Sequence, residues 1–165
     1  TQAHTAYAAA KFAVKGFTEA LITDLRLHAP RVLCSVVMLG HIGTSIMENS
    51  SKVLGRPWGM DLPDGDVAVV RERMLAAGLP VGNVPDDHIR QILADRAEAF
   101  RTKAPTTASE AATVILNAVR NKHWRVLIGQ DAYDLDRLVR EAPAEAYEKS
   151  MIGKINALNH LGALI

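Results

Sequence analysis

Cysteine is nearly missing from this sequence. Cys34 stands alone among 165 residues, which excludes an internal disulfide and fits a reducing, cytoplasmic setting. An excess of charge of either sign is missing too. Nineteen Lys and Arg face 18 Asp and Glu, for a net charge of +1. That balance gives no electrostatic footprint for nucleic acid or for an anionic membrane. No apolar run approaches the roughly 20 residues of a membrane-spanning helix. The first residues lack the charged-then-apolar layout of a signal peptide. The six histidines, at positions 4, 28, 41, 88, 123 and 160, form no H-x-x-x-H or H-E-x-x-H face, so no metal site is expected.

What is present is a chain that is 48% hydrophobic, enough for a globular core in a single domain. Residues 4 to 28 are Ala-rich and free of Pro, with Pro30 just beyond, and predict one long helix. Its apolar residues, among them Phe12, Val14, Phe17, Leu21, Ile22 and Leu25, surround much of the helix. A helix apolar on most sides is built to be buried on most sides. Gly16 lowers helix propensity by about 1 kcal/mol relative to Ala, and close packing against a neighbouring backbone would explain its presence.

Residues 31 to 38, RVLCSVVM, predict a buried, parallel strand with Cys34 as a small apolar member. Residues 39 to 63 are irregular at first, with a short helix expected from Ser45 to Val53. Helices are expected over 66 to 77 and 86 to 103, the charge run RERM (71 to 74) forming a solvated face. Thr107 and Glu110 make a capping-box pattern before a helix over 108 to 121. HWRVLIG (123 to 129) predicts a second strand, anchored by Trp124. Asp131 is expected to cap a helix over 132 to 141, Pro143 to break it, and 144 to 160 to form a last helix with an apolar tail, LGALI. Strands separated by helices predict an α/β fold with a parallel sheet. Two strands alone would leave open parallel edges, which are rarely left to water.

The chemistry centres on TAYAAAKFAVKGFTEAL, residues 5 to 21. Tyr7 and Lys11 are four apart and share a helix face. A phenol is a poor proton donor or acceptor at neutral pH, and a nearby ammonium favours its ionised form. The pair could serve as a tuned acid/base. On spacing alone it could equally be a surface Tyr packed on a Lys stem.

The wider pattern resembles the short-chain dehydrogenase/reductase family. YAAAK matches that family's Y-x-x-x-K on a small-apolar helix. LITDLR (21 to 26) matches its L-x-x-D-L-R. MLGHIGTSI follows the first strand where the family has a Pro-Gly turn, an apolar residue and a Thr. PTTASEAATVILNAV resembles its penultimate helix and RVLIG its last strand. The resemblance spans most of residues 4 to 130. It implies the C-terminal part of a Rossmann-type doubly wound sheet, with 45 to 105 as a helical excursion that forms a substrate lid. It implies an oxidoreductase that interconverts a carbonyl and a secondary alcohol with NAD or NADP. Tyr7 would be the general acid/base. Lys11 would tune Tyr7 and hold the nicotinamide ribose. Gly40, Ile42 and Thr44 would lie beside the cofactor, the Ile42 backbone touching its carboxamide and the Thr44 hydroxyl the carboxamide or a phosphate oxygen. Thr44 could also cap the following helix. His41 would be a solvated turn residue or a neighbour of the substrate. Trp58 and Met60 would line a pocket for a small hydrophobic substrate or pack as part of the lid. The broad apolar surface of helix 4 to 28 would be covered by the rest of the sheet and by a second copy, making a homo-oligomer.

Leu39 departs from the family, which usually has Pro there to stiffen the turn. No G-x-x-x-G-x-G occurs among the 165 residues, so the phosphate-binding turn is not represented. The family's catalytic Ser would lie upstream of Thr1, and Thr5 faces elsewhere on the helix. With Thr1 in place of an initiator Met, the expectation is a piece of a longer or processed chain. Two alternatives stand beside the enzyme. One is a non-catalytic remnant of the family acting through self-association or pairing with another chain. The other is an unrelated α/β binding protein that converged on these motifs.

Overall fold

A computed structural model describes residues 5–158. In chain order the elements are α1 (Thr5–His28), β1 (Val36–Leu39), β2 (Ile42–Gly43), α2 (Ile46–Val53), α3 (Asp64–Ala76), α4 (Asp86–Thr102), β3 (Thr106–Thr107), α5 (Ala108–Arg120), β4 (Arg125–Ile128), α6 (Gln130–Glu141) and α7 (Lys149–Leu158). Single 3-10 turns occupy Gly59–Asp61 and Pro143–Glu145. The chain divides into two compact units. Residues up to Ile42 and from Pro105 onward form one, and Gly43–Ala104 forms the other.

The first unit is α/β. β1 and β4 pair in parallel, Val36 opposite Arg125 and Leu39 opposite Ile128. Parallel pairing needs a long crossover, and the intervening chain ends in α5 before β4 begins. The core gathers Ile42, Ala111, Ala118, Val126 and Ile128, with Ile115 packed against them. Thr107 accepts from the Glu110 amide at 3.2 Å, and Glu110 Oε2 accepts from the Thr107 amide at 2.8 Å. The capping box read from the sequence is complete. At the other end of α5, Lys122 adopts φ 58°. Its amide reaches the Val119 carbonyl, and the His123 amide reaches the Ala118 carbonyl at 2.9 Å, the double closure of a Schellman ending. Arg125 and Arg140 both hold Asp136, tying α6 to β4. Burial alone would raise the Asp136 carboxyl. Its bonds from Arg140 and Arg125 outweigh that and hold it below the usual carboxylate range.

The strand predicted over 31–38 is shorter and later than expected. The α5 ending runs through His123, so β4 has room only from Arg125 and its partner can start only at Val36. The chain before β1 is held instead by Ser35, whose hydroxyl donates to the His123 carbonyl at 2.8 Å. Cys34 therefore precedes β1 and is half-buried rather than buried. Trp124 precedes β4 and is 42% exposed, so it does not anchor that strand.

α1 keeps its predicted span but little cover. Ile22 is its one buried residue, while Phe12 and Phe17 are each 68% exposed. No atom stands within 4 Å of where a Gly16 Cβ would be, so the close packing expected there is absent among the described residues. β1 is covered on one face only: Val36 is buried, whereas Val37 and Leu39 are exposed. Its edge away from β4 has no partner among the described residues.

The second unit is helical around Val67, Met74, Val81 and Ile89. Two arginines organise it. Arg90 is buried and donates to the Leu62 carbonyl at 2.7 Å, to Asp87 at 2.7 Å and to Asp64. Arg71 donates to the Val81 carbonyl at 2.7 Å and also holds the Val84 carbonyl and Asp86. RERM is thus solvated only at Glu72 and Arg73: Arg71 staples the α3–α4 loop and Met74 is in the core. The final helix starts later than predicted, because the turn at Pro143–Glu145 delays it to Lys149. The tail LGALI lies outside the described residues.

Candidate active site

α1 is continuous from Thr5 to His28 and contains no proline, so it holds Tyr7 and Lys11 at fixed angular positions. Lys11 Nζ stands 5.4 Å from the centre of the Tyr7 ring, within the range of a cation–π contact. The helix thus brings the predicted pair together. Both side chains are exposed, Tyr7 at 64%.

Gly40, His41 and Ile42 follow directly from β1, at its C-terminal end. In parallel α/β sheets this end is where ligands bind. The Gly40 amide continues the ladder by donating to the Ile128 carbonyl at 2.8 Å. The His41 amide donates to Asp131 Oδ2 at 2.6 Å. The Ile42 side chain is committed to the core, so what this residue can offer a ligand is its backbone. His41 is half-buried, not the solvated turn residue considered from the sequence.

Asp131 corrects the prediction made for it. α6 begins two residues earlier, at Gln130, with Gly129 at its N-cap and no side-chain cap. The Asp131 carboxylate turns back toward the end of β1 instead. Sequence reading missed this role because the two residues are 90 positions apart.

Thr44, Trp58 and Met60 belong to the second unit. Thr44 does not cap α2: the N-cap is Ser45, without a side-chain hydrogen bond. Gly43 is crowded by its own unit, a Cβ there falling 2.4 Å from the Arg101 carbonyl oxygen. Trp58 and Met60 line a cleft of about 240 Å³ with Met47, Glu48, Glu98 and Arg101. The cleft is mixed rather than purely apolar, since Glu98 and Arg101 pair across its wall at 2.7 Å.

No helix of the described residues is long and apolar enough to cross a membrane. No family model matches the chain, nor does any curated protein or solved structure.

Proposed function

We propose that this chain carries the acid/base helix of an NAD(P)-dependent oxidoreductase of the short-chain dehydrogenase/reductase type, one that interconverts a carbonyl and a secondary alcohol. The observation that carries the reading is the Tyr7–Lys11 pair, one helical turn apart with the ammonium 5.4 Å from the ring. During reduction the Tyr7 hydroxyl would give its proton to the carbonyl oxygen. During oxidation the phenolate would take the alcohol proton. Lys11 would favour the phenolate and bond the ribose hydroxyls. The bound nicotinamide dinucleotide supplies or accepts the hydride.

The residues present fit one end of such a cofactor. Lys11 offers an ammonium, and the chain leaving β1 offers backbone groups at the C-terminal end of the strand. Thr44 remains a proposed contact. The described residues hold no glycine-rich phosphate cradle, so the reading assigns that part to structure beyond these 165 residues. The uncovered flank of α1 and the one-sided cover of β1 support the same assignment. Fully burying one Phe or Leu contributes about 1.5–3 kcal/mol. A Rossmann-type sheet completed beside β1, a homo-oligomer through α1 and a cytoplasmic setting belong to this proposal.

The same bare surfaces also favour a second reading, a non-catalytic remnant that acts by associating with itself or another chain. Turnover separates the two. The 165 residues alone, without a phosphate cradle, are expected to be inactive. With reduced nicotinamide dinucleotide and a panel of hydrophobic ketones, a longer chain that supplies the glycine-rich turn is expected to consume the cofactor. Tyr7→Phe is expected to abolish turnover with cofactor affinity nearly unchanged, and Lys11→Ala to damage both. Normal turnover in either variant sinks the assigned roles. A folded, associating chain that neither binds nor turns over the cofactor even with the glycine-rich turn supplied favours the second reading.

A further inference from the structure

We propose that Asp131 is a positioning residue whose carboxylate sets the backbone at Gly40–His41, and through it the contact that Ile42 makes with the cofactor. The second half of this statement rests on the reductase reading; the first does not.

The chain leaving β1 loses its ladder partner abruptly. Ile128 ends β4, and Gly129 turns away at φ 93° and ψ 141°, a region open essentially to glycine alone. The Gly40 amide still finds the Ile128 carbonyl. The next amide, that of His41, has no strand carbonyl to meet. Asp131 supplies the acceptor at 2.6 Å, from the first turn of α6, where the helix dipole favours a carboxylate. A hydrogen bond to a charged acceptor is stronger than one between neutral groups.

Two glycines make the space for that carboxylate. A Cβ on Gly40 would lie 2.0 Å from Asp131 Oδ1, and a Cβ on Gly129 would lie 2.5 Å from the same oxygen. Both distances are far inside contact. Gly40 shows no positive φ, so what requires glycine there is the approach of the acid and not the backbone angle. One oxygen of Asp131 thus occupies the hollow left by two missing side chains, while the other fixes the turn. Leu39 lacks the ring that would stiffen this turn from within the chain. The wedge holds it from outside.

The test has two arms, run on the full chain. In the first, amide exchange is followed at His41. Asp131→Ala is expected to speed that exchange about tenfold or more, leaving Val126 and Leu127 protected. Asp131→Asn retains an acceptor and is expected to restore most of the protection. Gly40→Ala is expected to expose His41 as well, and to have little further effect once Asp131 is Ala, because the colliding oxygen is gone. Unchanged His41 exchange in Asp131→Ala, or an equal Gly40→Ala effect in both backgrounds, overturns the wedge. In the second arm, Asp131→Ala is expected to raise the KM for the nicotinamide cofactor about tenfold with a smaller change in kcat. Faster His41 exchange with an unchanged cofactor KM overturns the positioning role. If the chain shows no nicotinamide-dependent turnover even with the glycine-rich turn supplied, the reductase reading falls together with the cofactor half of the proposal. The exchange arm still decides the wedge.

Discussion

Arg71 Nη1 donates to the Val81 carbonyl at 2.7 Å, across ten residues of chain. The same guanidinium also holds the Val84 carbonyl and Asp86. One side chain therefore closes the loop between α3 and α4 and brings Val81 into the core beside Val67 and Ile89. Arg71→Met keeps the apolar stem and removes the donors. It is expected to destabilise the chain by about 1–3 kcal/mol, the range for leaving half-buried acceptors without a partner. Urea denaturation checks this. A midpoint unchanged from the parent would show that the loop holds without its staple.

Lys122 sits at φ 58° because the ending of α5 demands a left-handed residue there. A side chain with a Cβ is strained in that conformation by about 1–2 kcal/mol. Lys122→Gly is expected to raise stability by about 1 kcal/mol, less the entropy glycine adds to the unfolded chain. Thermal melting of the two proteins measures it, and a fall in midpoint would contradict the assignment.

Glu110 is held below its ordinary value of 4.5, first by the Thr107 amide and then by the Thr107 hydroxyl. A carboxyl depressed in the folded state contributes stability that is complete above its unfolded value and is lost as pH falls through its folded one. Stability should therefore decline as pH is lowered below about 4.5, and Glu110→Gln should flatten that decline. Thr107→Ala removes the cap itself and is expected to cost about 1 kcal/mol at neutral pH. Denaturation curves at neutral and acid pH check both.

Gly16 has open space where its Cβ would point. If α1 stands as in the isolated chain, Gly16→Ala should stabilise it by about 1 kcal/mol through helix propensity. If a second copy covers that face closely, Gly16→Trp should break the assembly while Gly16→Ala gives no gain. Sedimentation of the parent and Gly16→Trp, together with melts of Gly16→Ala, distinguishes the two.

Much of the first unit was legible in the sequence because its signals are local. α1 follows from Ala content and the missing Pro, and the Tyr7–Lys11 juxtaposition follows from helix geometry alone. The capping box at Thr107 and Glu110 is likewise a three-residue relation. What could not be read was set by contacts between distant residues. Strand 31–38 shrank to Val36–Leu39 because the ending of α5, far along the chain, sets where β4 begins. Asp131 looked like a helix cap and became a wedge, since only the parallel pairing of β1 with β4 brings it to His41. RERM looked solvated because charge runs usually are. Arg71 found its acceptors only once the α3–α4 loop folded over it.

By itself, then, the sequence determined the helices, the α/β alternation and the phenol–ammonium pair, all relations within a turn or two of chain where backbone geometry decides. Tertiary structure alone decided strand length, the use of Gly40 and Gly129 as a hollow for an acid, and which arginines are internal. Those outcomes depend on which distant groups must share one small volume, and on each buried donor finding an acceptor there.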